Sequence, residues 1–132
     1  MKNSEILRLA KSKIAGPKNW GIYNMAKNAE GYAVLVTSPE ACRFCAVGSV
    51  ARAVYELYPD RGNDVSGMQD SIAPTIFDAL LEAYTGDNKS KVDKSLVSWR
   101  CFMVAHRNDE MKHADVMTWF DRAIAKLEAD ND

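Results

Sequence analysis

The stretch CRFCAVGSVARAV, residues 42–54, decides the fold. It is apolar nearly all the way round a helical wheel, and a helix of that kind has to be buried. Phe44, Val47, Val50 and Val54, with Leu57 and Tyr58 beyond them, recur at helical spacing on one side. Cys42, Cys45, Ala46, Gly48, Ser49 and Ala53 make the opposite side smooth enough for another backbone to come close. The signals around the stretch predict a central helix over 39–58. Ser38 can cap it, Pro39 suits its first position, Glu40 favours the positive end of the helix dipole, and Pro59 ends it.

Working outward, Ser4 is a candidate cap for a first helix carrying Ile6, Leu7, Ala10 and Ile14, with Gly16 and Pro17 as the stop. Between Trp20 and the central helix, two β-tolerant runs flank Asn28-Ala29-Glu30-Gly31, where glycine suits the positive φ of a short loop. A small hairpin over about 21–36 is expected, leaning on helices because a lone hairpin is not stable in water. Beyond Pro59 the polar run DRGNDVSGMQDS predicts a long exposed loop. Ser71 then caps a third helix with Ile72, Ile76, Ala79, Leu80, Ala83 and Tyr84 on its apolar stripe. SLVSWRCFMVA, residues 95–105, alternates as a strand would but reads equally as a buried helix, which is preferred. A last helix is expected from about Glu110 to Glu128. The reading is a single domain over 1–132, mainly α, a bundle of four to five helices with one small hairpin.

The chain has 132 residues and a formal net charge of −1, so no global field attracts nucleic acid or an anionic membrane. Neither partner is expected. Charge is nevertheless segregated: residues 1–27 carry +5, 56–87 carry −6, 88–108 carry +4 and 109–132 carry −4. Opposite blocks should lie together, within one chain or across a homodimer, which is the expected state. Three cysteines do not make a secreted disulfide framework, and no apolar run approaches the eighteen residues of a membrane span. A cytoplasmic protein is expected.

Cys42 and Cys45 have redox or metal spacing, and Cys101 with His106 or His113 could complete a zinc set. Read as lying inside an apolar helix, the thiols fit packing better, and neither metal nor cofactor is expected. His113, on the apolar face of the last helix, is either a satisfied core ring or a general base oriented by a carboxylate such as Asp109. Asn108 or Asp109 suits the cap of the last helix, or a polar site at its start. Trp20, Trp99 and Trp119 are core fillers or anchors for a ligand or partner.

Trp20, Gly31, Pro39, Cys45, Gly48, Ser49, the Asn108-Asp109 pair and HADVMTWFDRAI at 113–124 together give a pattern that resembles a family of small uncharacterised bacterial and phage proteins of unknown function. The resemblance implies a phage or prophage setting and no known activity. The functional expectation is a non-catalytic binding protein that engages a host protein or sequesters a small ligand through Trp20, Trp99, Trp119, Asn108, Asp109 or His113. The alternative is a small hydrolase or metal-dependent enzyme using His113, Asp109 and the cysteines.

Overall fold

A computed structural model describes residues 1–86 and 93–130; Lys89 and Lys91 of the third charge block and residues 131–132 lie outside that range. Five α-helices run in order: α1 Asn3–Lys13, α2 Ala46–Leu57, α3 Pro74–Ala83, α4 Trp99–Asp109 and α5 His113–Ala129. A two-stranded antiparallel pair joins β1 Ala26–Lys27 to β2 Arg43–Phe44. The mainly helical expectation with one small strand pair holds. α2 is central: Val47, Val50, Ala51 and Val54 are fully or almost fully buried, with α1 and α4 packed against it. α3 and α5 close the other side around Phe77, Leu80, Trp119 and Phe120.

The smooth side of α2 does meet a backbone. A Cβ built on Gly48 would sit 1.8 Å from the Met25 carbonyl oxygen, so only glycine admits the approach. The segment ending in β1 is thus pressed onto the start of the helix.

The central helix begins seven residues later than the expected 39. Residues 43–44 are drawn into a strand, and Cys45 becomes the N-cap, its sulfur accepting the Gly48 N–H at 3.4 Å. Ser38 caps only a turn, taking the Glu40 N–H at 3.1 Å. Arg52 then donates to the Val36 and Ser38 carbonyls, both at 2.8 Å, and folds that segment back alongside α2. Both thiols therefore leave the helix interior: Cys42 precedes α2, half-buried, and Cys45 stands at its start.

Other boundaries move for similar reasons. The turn at 28–31 forms with Gly31 at φ 88°, but only a single bridge, Lys27 to Ala33, closes it. The ladder partner of β1 comes from 43–44 instead, because α2 needs its leading strand anchored against Met25 and Ala26. The 95–105 ambiguity resolves as helix from Trp99 onward. α5 starts at His113, not Glu110, so Asn108 and Asp109 close α4 rather than cap α5. Ser4 lies buried inside α1, whose N-cap is Lys2, and Ser71 lies in a short 3-10 turn before α3. The 59–71 loop is not wholly exposed either, since Val65 and Asp70 are buried. Asp70 accepts the Cys101 N–H at 2.8 Å and the Arg100 N–H at 3.2 Å, capping α4 from thirty residues away.

Candidate functional site

Trp20 and Asn108 are 88 residues apart in sequence and hydrogen-bonded in the fold. Asn108 is fully buried in the last turn of α4, and its whole amide is engaged. Oδ1 accepts from Trp20 Nε1 at 2.7 Å and from the Ala46 N–H at 3.0 Å, which caps α2 from outside. Nδ2 donates to the Gly21 carbonyl and to Asp109 Oδ1, each at 3.1 Å. Asp109 Oδ1 also accepts the Tyr23 N–H at 3.1 Å. That bond helps hold Tyr23 at φ 72°, a left-handed conformation that a tyrosine rarely adopts and that costs of order 1–3 kcal/mol.

His113 completes the group. Its ring lies 5.9 Å from that of Trp20, tilted by 54°, and Nε2 donates to the Ile14 carbonyl at 2.7 Å. The bond ties the end of α1 to the start of α5. Four of the six candidate residues thus meet at one place: Trp20, Asn108, Asp109 and His113.

A cleft of about 610 Å³ opens over them, with Trp20, Asp109 and His113 in its wall beside Lys27, Arg43 and Lys112. The three cations are badly placed for their own sake. Lys27 and Arg43 are direct cross-strand partners in the β1–β2 ladder, where like charges repel. Lys112 is the residue before α5, at the positive end of the helix dipole, with no side-chain cap. Arg43 Nε donates to the Lys18 carbonyl at 3.0 Å. None of the three cations has an ion pair among the described residues, whereas Arg8, Lys11, Lys13, Arg52, Arg61, Arg100 and Lys126 all do. Residue spacing gave no sign of this cluster, because it exists only through the strand register.

The remaining candidates lie elsewhere. Trp119 is 1% exposed, with Nε1 donating to the Leu80 carbonyl at 2.6 Å; it also forms part of the floor of a second cleft, of about 700 Å³, beside Tyr84, Asp115 and Arg122. Trp99 is half-buried, its ring met by Lys94 at 5.3 Å and by Arg100 at 4.6 Å. Burial pushes the Cys45 thiol up to about 11, and burial joined by the nearby Asp70 carboxylate pushes Cys101 well above the ordinary thiol range. Both shifts favour the thiol over the thiolate, and the thiolate is the form that acts as a nucleophile. Among the described residues no three His, Cys, Asp or Glu side chains cluster to hold a metal ion. No described helix is long and apolar enough to cross a membrane.

No curated protein and no solved structure matches this chain. The family model of DUF6197, a family of unknown function, does match, over residues 1–126, so this chain belongs to that family.

Proposed function

We propose that this protein is a non-catalytic binding protein whose small ligand seats in the cleft over Trp20 and His113. One observation carries the reading: Trp20, Asn108 and His113 are hydrogen-bonded to neighbouring elements of the fold, while Lys27, Arg43 and Lys112 have no ion pair among the described residues. Asn108 caps α2, and the described hydrogen bond of His113 goes to the Ile14 carbonyl. The hydrolase alternative draws on Asp109 and His113 sharing the cleft wall. Their described hydrogen bonds lead apart, however, Asp109 to Tyr23 and Asn108 and His113 to α1, which favours the binding reading.

The setting we propose is the cytoplasm of a bacterium carrying the gene on a phage or prophage. We propose a homodimer on the exposure of Tyr23 and Tyr32, 78% and 71%, and not on charge, because the segregated blocks pair within one chain. Light scattering reads its mass. Native mass spectrometry of protein purified from its own host tests the cleft. A small molecule bound to the parent and lost in Trp20→Ala supports the reading; a bare chain, or a ligand kept by the folded variant, overturns it.

A further inference from the structure

We infer that the cleft selects a small phosphate monoester, with the phosphate held between Lys27, Arg43 and Lys112 and the rest of the molecule lying toward the rings of Trp20 and His113. The inference rests on the reading of this cleft as the ligand site and adds the chemical class of the ligand. Its first support is charge. Three cations face one carboxylate, Asp109, leaving an excess of two positive charges, and a phosphate monoester carries close to two negative charges near neutral pH. A single carboxylate ligand would neutralise half of that excess.

The second support is that these charges are held together against their own repulsion. Several cations elsewhere are matched by a carboxylate: Lys11 meets Asp121 at 2.6 Å, Arg100 meets Asp78 at 2.6 Å, Lys126 meets Glu82 at 2.8 Å. In the cleft the ladder register sets Lys27 opposite Arg43 instead, and Arg43 is fixed further by its bond to the Lys18 carbonyl. That bond uses Nε and leaves the terminal guanidinium nitrogens, which suit an oxyanion with two oxygens to offer. Asp109 offsets one of the three charges, and its Oδ1 is engaged by the Tyr23 N–H and Asn108 Nδ2 rather than by a cation. The third support is size and wall: about 610 Å³ holds a phosphate with a ring attached, and Trp20 with His113 supplies an aromatic wall.

The test follows the Trp20 indole N–H in nitrogen–proton correlation spectra of the full chain, at about 50 mM salt so that surface charge stays unscreened. The probes are phenyl phosphate, benzoate and phenol. Phenyl phosphate should shift the resonance saturably and bind at least about tenfold more tightly than benzoate, with phenol weaker still. Lys27→Gln with Arg43→Gln should weaken phenyl phosphate by about tenfold or more while the melt shows a folded protein; Lys2→Gln, at the far end of α1, should leave it unchanged. The inference is overturned if benzoate matches phenyl phosphate, or if the folded double variant binds phenyl phosphate as the parent does. Saturable shifts with benzoate or phenol alone would overturn the phosphate while leaving the cleft as a ligand site. No shift with any probe overturns the phosphate too, and the co-purification result then decides the cleft separately.

Discussion

Along the seam between α1 and α5, Arg8 meets Glu128 and Lys11 meets Asp121; across the β1–β2 ladder, Lys27 meets Arg43. The aromatic residues divide the same way. Trp119 is sealed between α3 and α5 with its N–H on a backbone carbonyl, while Trp20 stays half-buried in the cleft wall with its N–H on Asn108. The α1–α5 seam pairs its charges and α3 with α5 covers the Trp119 ring, which is what stability requires. The cleft side leaves like charges adjacent and a tyrosine in a left-handed conformation, which accords with the ligand site proposed there.

The two sides are joined where Gly48 meets Met25, so the severest way to break the comparison is to part them there. Gly48→Ala puts a methyl 1.8 Å from a backbone oxygen, and backbone cannot swing away as a side chain can. We expect a loss of about 3 kcal/mol or more, seen as a fall in Tm of roughly 10 °C or as failure to fold. A melt within a degree or two of the parent would mean that the approach at Gly48 is loose.

Next in size is Asn108→Ala. It leaves the Ala46 N–H, the Gly21 carbonyl and the Trp20 N–H without their shared partner, for an expected cost of about 2–3 kcal/mol in urea denaturation. The cleft should loosen with it, so the Trp20 indole resonance should move far more than that of Trp119. Equal movement of both would show that Asn108 supports the whole core evenly, and that the two sides are one structural unit.

The apolar periodicity of α1, α3 and α5, and the smoothness of α2 at Gly48, were legible in the sequence because they are local or nearly so. What was not legible is how helices start. The starts of α2 and α4 are satisfied by Asn108 and Asp70, from residues 62 and 31 positions away, so the signal at Ser38, which caps a turn, misplaces the start of α2; Ser71 lies in a 3-10 turn before α3, whose own start has no side-chain cap. The site followed the same divide. Trp20, Asn108, Asp109 and His113 stood out by residue type, but Lys27, Arg43 and Lys112 look like ordinary surface cations until a two-residue ladder sets the first two face to face. Trp99 and Trp119 stood out equally and lie outside this cleft, since residue type does not say which ring will be covered.

Lys112→Asp sharpens the contrast by making its two terms move in opposite directions. An aspartate in that extended conformation can cap α5 and reverses an adverse charge at the dipole's positive end. Stability should therefore rise, by about 0.5–1 kcal/mol, while affinity for phenyl phosphate falls. A residue kept for ligand at the expense of the fold gives that pair of signs. A variant no more stable than the parent would mean that Lys112 costs the fold nothing.

The smallest effect tests the paired side by pH. Burial alone would raise the Glu56 carboxyl, but hydrogen bonds and charge from Lys13 at 2.5 Å and Arg52 at 2.8 Å outweigh it and hold the group below its ordinary value of 4.5. A carboxyl depressed in the folded state adds stability that is present above its unfolded value and is lost as pH falls through the folded one. The contribution should therefore be whole at pH 7 and decline below about pH 4.5. Because the side chain remains partly open to water, screening limits it to a few tenths of a kcal/mol. Comparing parent with Glu56→Gln in urea at neutral and acid pH isolates it: the parent should lead at pH 7, and the gap should close in acid. A gap that stays constant with pH would show that Glu56 acts by packing, and that the ion pairs of the helical side are contacts without consequence for its stability.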